Sequence, residues 1–474
     1  MLRVKINQTV LCGEPLTIGD SSSVPIHAPT SGIIKNIEFN AKGFGFNKEN
    51  IKITIIPDYL NQWIRLKKIN NYKLYSAQSL IKIIYKLGIV GLGGAHFSSS
   101  KKLMLSMNKV HTLIVNALES DPYITADYCL MYNYLNEIFI GCKIISWISK
   151  VKSIIIVIQE DKIELISKIK LLIQNKKIFK ICVFKTKYPS GSSKIIIKSL
   201  TGKEIPFGKH AIDMGYLIFN VTTVYAIKRA IINGEPLISR IVTLYNYKNH
   251  LAKNFLIKIG TPISFFLNYL KIENNLDCAI YIGGFFMQDL LFDLSYSISK
   301  NINCISIGKH TKKIKKSSNY ACINCGYCVQ VCPVNLLPQK LYLYSKSNNH
   351  EKTKKNYIMD CIECKICEKV CPSNISLVRY FQNEKTHQNK IDIEINRKKM
   401  FFNHFQEREK RILNQKKIFY KNKNYFNNTD LINSNMLKKS LQKKCTNEKE
   451  IEKNFRKEML RSAIERAKLK NKIL

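Results

Sequence analysis

Cys322-Ile323-Asn324-Cys325-Gly326-Tyr327-Cys328-Val329-Gln330-Val331-Cys332-Pro333 has a counterpart further along the chain, Cys361-Ile362-Glu363-Cys364-Lys365-Ile366-Cys367-Glu368-Lys369-Val370-Cys371-Pro372. Both read Cys-x2-Cys-x2-Cys-x3-Cys-Pro, the bacterial ligand run for cubane [4Fe–4S] clusters. Three thiolates two residues apart can wrap one face of a cube. The fourth, carried onto the following helix, points away and ligates the cluster of the other run. Cys322, Cys325 and Cys328 are therefore expected to share one cluster with Cys371. Cys361, Cys364 and Cys367 are expected to share the other with Cys332. Two clusters held close together imply the movement of single electrons.

Zinc and disulfides fit these cysteines less well. Structural zinc sites use two Cys or His pairs a dozen or more residues apart, and a third cysteine with a following Cys-Pro, given twice, does not suit a tetrahedral ion. Disulfides need an oxidising compartment, and the start Met1-Leu2-Arg3-Val4-Lys5 does not read as an apolar leader. The other cysteines are scattered singly; Cys182, in the apolar Lys180-Ile181-Cys182-Val183-Phe184, reads as an ordinary buried thiol.

A chain of 474 residues with 45% hydrophobic content can build several cored domains. Its net charge of +42 would suit nucleic acid or an anionic membrane surface. The excess Lys, however, accompanies heavy use of Ile, Asn and Tyr throughout, as an AT-biased genome would leave it. No apolar run reaches the ~20 residues that span a bilayer. The nearest, Ile138 to Ile158, is broken by Lys143, Lys150 and Lys152.

The expected fold is multidomain, α/β and α+β. Residues 1–60 read as short strands and turns, with an Ala28-Pro29-Thr30-Ser31-Gly32-Ile33 segment. From 75 to 235 the pattern is α/β. An amphipathic Ser79–Leu87 leads into Gly91-Leu92-Gly93-Gly94-Ala95-His96-Phe97. Strand-like runs follow at Thr112–Asn116, Ser153–Ile158 and Ile181–Phe184, with a helical period over Lys162–Ile173. Residues 240–310 read as a small α+β module. The paired Cys runs occupy 315–380, with a Ser/Asn/Lys-rich loop from Ser345 to Lys355 between them. Beyond 385 the chain has no Gly or Pro and reads as a basic, partly helical tail, with a helical spell at Glu458–Ala467.

Clustered glycines let a backbone approach a phosphate or a ring closely. After the Gly91 loop come Asn116-Ala117-Leu118-Glu119-Ser120-Asp121, Lys187-Tyr188-Pro189-Ser190-Gly191 and Asn220-Val221-Thr222-Thr223. Amide and hydroxyl groups at strand ends suit the edge of a flavin and its ribityl chain. In this order the modules resemble the C subunit of Rnf-type (Rsx) ion-translocating electron-transport complexes over residues 1 to about 385.

The resemblance implies a barrel-sandwich module at 1–60 that is lipoyl-like but lacks an attachment lysine. It implies an FMN/NAD(H)-binding domain at 75–235, related to the NADH-binding subunit of respiratory complex I. An SLBB-like module at 240–310, a two-cluster ferredoxin-like domain at 315–380 and a variable tail at 385–474 complete it. Carried over onto this chain, Gly91, Gly93, Gly94 and Lys102 match the FMN-phosphate loop. Asn116, Glu119, Asn220 and Thr223 match polar flavin contacts, and Phe97 and Asp121 fall on the nicotinamide side.

The implied protein is an electron-transfer subunit passing electrons between NAD(H), FMN and two [4Fe–4S] clusters. It is catalytic only within its complex, peripheral on the cytoplasmic face of the inner (plasma) membrane, and has integral-membrane, Fe–S and flavin subunits as partners. Its basic tail adds a possible contact with the anionic membrane surface, and no nucleic acid is expected. Two other readings are a soluble diaphorase-type flavin/Fe–S subunit and a non-enzymatic Fe–S protein with a nucleic-acid-binding tail. The family loop reads Gly-x-Gly-Gly-Ala-Gly-Phe-Pro-Thr-Gly, whereas this chain has His96, Ser98, Ser99 and Ser100 at its last Gly, Pro, Thr and Gly. Asp121 replaces a Glu. The cluster ligands thus read as intact and the nucleotide pocket as altered.

Overall fold

The computed structural model describes residues 2–20, 23–41, 50–94, 96–272, 278–309 and 320–427. The chain divides into two units, 1–388 and 389–474. The first begins with β1 (Thr9–Val10), β2 (Gly32–Ala41) and β3 (Asn50–Pro57), an antiparallel sheet in that order. Val4, Val10, Leu16, Ala28 and Ile34 make its small core. Gly32 is obligatory where β2 meets β3. A Cβ there would lie 2.0 Å from the Ile56 carbonyl oxygen.

The second layer opens with α1 (Ala77–Lys86) and α2 (Ser99–Ser106). Ser76 caps α1 by accepting from the Ser79 N–H, and Ser98 caps α2 by accepting from the Lys101 N–H. The serines that depart from the family loop thus start a helix. An alternating series follows: β4 (Thr112–Ala117), α3 (Ala126–Ser149), β5 (Ser153–Gln159), α4 (Ile163–Ile173), β6 (Phe179–Phe184), α5 (Ser193–Thr201), β7 (Tyr216–Asn220) and α6 (Val221–Lys228). The strands form a parallel sheet ordered β6-β5-β4-β7. Their continuous apolar runs suit a sheet buried on both faces, with α1, α3 and α6 over one core and α5 over the other. The apolar stretch from 138 to 158 resolves into the end of α3 and β5. Close packing fixes α3 on α6, since a Cβ on Gly141 would lie 2.4 Å from the Val224 carbonyl oxygen.

The chain then adds β8 (Ser239–Asn246), β9 (Leu251–Lys258), α7 (Ile263–Tyr269), β10 (Cys278–Ile282), β11 (Asp289–Leu290) and β12 (Cys304–Lys309). These strands form a mixed sheet ordered β11-β10-β12-β8-β9, in which only β12 and β8 run parallel. Val242, Ile263, Phe266, Leu267, Ile298 and Ile305 fill the space between this sheet and α7.

The cysteine-rich part is built from short helices: α8 (Tyr327–Gln330), α9 (Pro338–Lys346), α10 (His350–Lys355) and α11 (Ile366–Lys369), followed by α12 (Leu377–Asn427). The stretch Ser345–Lys355, expected as a loop from its polar composition, is mostly helical. Asn349 caps α10 by accepting from the Lys352 N–H, and buried Thr353 donates to Glu384 across 2.6 Å. Those two contacts outweigh composition. The 51-residue α12 starts before the basic tail and continues into it, with its side chains from Arg397 to Ile418 exposed. The helical spell at Glu458–Ala467 lies outside the described residues. Among the described residues no helix is long and apolar enough to cross a membrane.

Candidate redox site

The order β6-β5-β4-β7 makes β4 a switch point, with β5 on one side and β7 on the other. Ligands of open parallel sheets bind in the crevice beyond the carboxyl ends of the strands at such a point. Asn116 and Asn220, near the carboxyl ends of β4 and β7, are paired in register there. The loop 91–97 lies against the same corner. A Cβ on Gly93 would come 2.9 Å from Asn220 Cβ, and the Leu92 N–H donates to Thr223 Oγ1 at 2.9 Å. Gly93 and Gly94 face outward, and Gly94 has φ +124° with open space where a side chain would be.

Several residues proposed as flavin contacts therefore meet in one crevice, where they also bond to each other's neighbours. Asn116 donates to the Gly191 carbonyl at 3.0 Å and accepts from the Leu118 N–H. Asn220 donates to Asp127 at 2.6 Å and caps α6 by accepting from the Thr222 N–H. Each amide keeps a further hydrogen-bonding position for a ligand. Buried Glu119 accepts from the Tyr128 N–H at 2.9 Å. Burial, with Asp127 beside it, holds its carboxyl well above the usual range.

Lys102 reaches in from α2. Its ammonium donates to the Ile218 carbonyl and lies 4.9 Å from the centroid of the Phe219 ring. Burial lowers it to about 8. An enclosed ammonium is a compact positive charge suited to an anionic group.

Phe97 is half exposed at the rim, and its carbonyl accepts from the Gly91 N–H. Asp121 is almost wholly buried and turned toward the β10–β11 loop. It accepts from the Phe286 N–H at 2.7 Å, and a Cβ on Gly284 would lie 2.3 Å from its Cγ. His96 has φ +51°, a conformation unfavourable for a side-chain-bearing residue. Its Nε2 is buried without a partner, and burial, with Arg240 and Lys300 nearby, lowers the imidazole to about 4.

The eight cysteines of the two runs line two separate small cavities. Cys322, Cys325, Cys328 and Cys371 line one, while Cys332, Cys361, Cys364 and Cys367 line the other. The same turn shapes both runs. Asn324 and Gly326 have φ +54° and +81°, and their counterparts Glu363 and Lys365 have +57° and +58°. Left-handed residues on either side of the middle cysteine curl the backbone around the cavity.

Backbone N–H groups of Leu336 and Glu363 donate to Cys332 and Cys361 Sγ at 3.3 and 3.4 Å, the kind of bond that orients a ligating thiolate. Burial pushes the Cys361 thiol up to about 11 and raises Cys364 and Cys367. Among the described residues no three His, Cys, Asp or Glu side chains converge to hold a single metal ion. A cube spreads its ligands over four corners, and thiols ringing a cavity suit that geometry.

Residues 84–229 match the family described as the Nuo51 FMN-binding domain, and residues 321–391 match the 4Fe-4S dicluster domain. The C subunit of the ion-translocating oxidoreductase complex of Buchnera aphidicola subsp. Acyrthosiphon pisum (strain APS) is 54% identical over 99% of this chain and 96% of its own. The chain belongs to the C-subunit family of ion-translocating oxidoreductase complexes. The relative from Buchnera aphidicola subsp. Baizongia pistaciae (strain Bp) is 44% identical over 81% of this chain and 76% of its own. That of Serratia proteamaculans (strain 568) is 41% identical over 83% and 56%. A solved chain of an NAD+-reducing [NiFe]-hydrogenase is 14% identical over 62% of this chain and 53% of its own, at TM-score 0.44.

As a member of this family, the chain is an electron-transfer component of such a complex and carries an FMN-binding domain and a 4Fe–4S dicluster domain. Membership favours the first of the three sequence readings. Motif reasoning missed the groups behind the loop. Arg240 and Lys300 are buried and donate to the carbonyls of Leu92 and Gly88, and no local spacing signals them. Asp127, which holds Asn220 and Thr222, lies beyond Glu119 in the first turn of α3.

Proposed function

We propose that this subunit passes electrons between NAD(H), FMN and two [4Fe–4S] clusters, and delivers them to partner subunits of its complex at the cytoplasmic face of the plasma membrane. The observation that carries this reading is the placing of the loop crevice and both thiol-lined cavities within one compact unit. Lys102 with Gly91, Gly93 and Gly94 holds the FMN phosphate, while Asn116, Glu119, Asn220 and Thr223 line the ring and ribityl chain. Phe97 covers the nicotinamide side, and Asp121 shapes that side by anchoring residues 284–286. A bound flavin supplies the link between two-electron hydride chemistry and one-electron carriers.

Cys322, Cys325, Cys328 and Cys371 hold one cluster, and Cys361, Cys364, Cys367 and Cys332 hold the other. The sheet of residues 1–60 acts as a barrel-sandwich docking module, and residues 240–310 act as an SLBB-like module whose β10–β11 loop walls the crevice. The basic residues beyond 385 add attraction to an anionic membrane surface, about 1 kcal/mol for each close to it. Anaerobic addition of NADH to the purified chain tests the reading. Bleaching of the flavin and cluster absorption supports it. If dithionite bleaches the clusters while NADH changes nothing, the chain is a cluster relay without nucleotide chemistry.

A further inference from the structure

The contacts that tie the crevice to the dicluster domain gather on the second cysteine run. Tyr188 lies beyond the carboxyl end of β6, three residues before the Gly191 carbonyl that receives Asn116. Its hydroxyl donates to the Cys364 carbonyl oxygen at 2.8 Å. Its ring stacks on Phe286, with centroids 4.1 Å apart and planes 8° from parallel. Phe286 is in turn fixed by its N–H bond to Asp121. Lys194 at the start of α5 pairs with Asp360, Lys365 pairs with Asp289 at 2.8 Å, and the Lys369 ammonium lies 4.9 Å from the Phe285 ring centroid.

The first run has a different setting. Cys325 is exposed, as are Tyr320, Ile323 and Tyr327 around it. One thiol-lined cavity is thus clamped against the flavin crevice, and the loop of the other opens to solvent.

We propose that the site of Cys332, Cys361, Cys364 and Cys367 is the flavin-side cluster, that the site of Cys322, Cys325, Cys328 and Cys371 is the outward one, and that Tyr188 positions the former. The inference rests on the two-cluster, one-flavin reading above and adds the order of the sites. Tyr188 acts through the Cys364 peptide. Its hydroxyl places the positive end of a dipole on that carbonyl, and the bond with the stacked ring holds the ligand loop against the crevice wall. Hydrogen bonds around the ligands are among the groups that set a cluster's potential.

The test uses the full chain with its cofactors. Iron and flavin counts on the unsubstituted chain come first; a shortfall there defeats the underlying reading and is recognised as such. The order of sites is then read from the relaxation of the flavin radical signal in electron paramagnetic resonance, which a nearby paramagnetic cluster speeds. Cys364→Ala is expected to remove most of that enhancement and Cys325→Ala little of it. The reverse pattern overturns the order.

Tyr188→Phe keeps the ring stack and deletes the hydroxyl, so it bears on the positioning role even where a cysteine variant loses both clusters. It is expected to retain iron and flavin, to move one cluster potential in the negative direction, and to leave the other in place. The cluster that moves should be the one surviving in Cys325→Ala. Two unmoved potentials, or a shift confined to the other cluster, contradict the role assigned to Tyr188.

Discussion

His96 and the buried lysines show how single residues set the character of the crevice. In the left-handed region, His96 carries about 1 kcal/mol of strain that glycine would not, but glycine loses about as much to chain entropy. His96→Gly should therefore leave stability within about 1 kcal/mol, while clearing a side chain from the loop and tightening FMN binding about fivefold. Flavin fluorescence titration reads this directly, and an unchanged affinity would remove His96 as an obstruction.

Lys300 gives a pH dependence. Burial lowers its ammonium from 10.5 to about 8, so the unfolded chain holds the proton that the folded chain has released between those values. Its penalty is fully present below pH 8 and is relieved as pH rises toward 10.5, by about 3 kcal/mol at most. Urea unfolding of the flavin-free chain should show stability rising from pH 8 to 10, and Lys300→Met should remove the Lys300 share of that rise while leaving the share of Lys102. The glycines and the asparagines stand out in the sequence by their own chemistry, and Lys102 enters only through the family resemblance. Arg240 and Lys300 do not stand out, because their importance comes from carbonyls more than a hundred residues away.

At the scale of elements, β4, β5 and β6 were readable as apolar runs and α1 as an amphipathic period, while β7 was not singled out. The loop expected at Ser345–Lys355 was not readable as α10, because its helix depends on Thr353 meeting Glu384 from α12. Ser98, Ser99 and Ser100 looked like damage to a glycine loop when compared position by position. In place, Ser98 starts α2 and Ser100 bonds to it at 2.8 Å. The crossing of the fourth cysteines also belongs to this scale. Cys371 lies in the second run but lines the cavity of the first. Cys371→Ala should accordingly weaken or remove the cluster of Cys322, Cys325 and Cys328 and spare the other. Retention of the first-run signal, identified by its loss in Cys325→Ala, with loss of the second would contradict the crossed arrangement.

For the whole molecule, the order of modules carried more than any single motif. A glycine loop alone is a tight turn as often as a ligand site, and two cysteine runs alone describe a small relay. Set in sequence they pointed to the C-subunit family, which full-length similarity at 54% identity shows. How the modules bear on each other was beyond sequence, since Tyr188, Lys194 and Asp289 meet the second run only after folding. The central claim is that an intact pair of clusters works beside a flavin site that has changed yet still holds its cofactor. Anaerobic purification of the full chain, with iron, sulfide and flavin counted per chain, tests it most directly. About eight iron atoms, about eight sulfides and about one FMN are predicted. About eight iron atoms without flavin would contradict it, leaving a two-cluster relay on a flavin fold that no longer binds its cofactor.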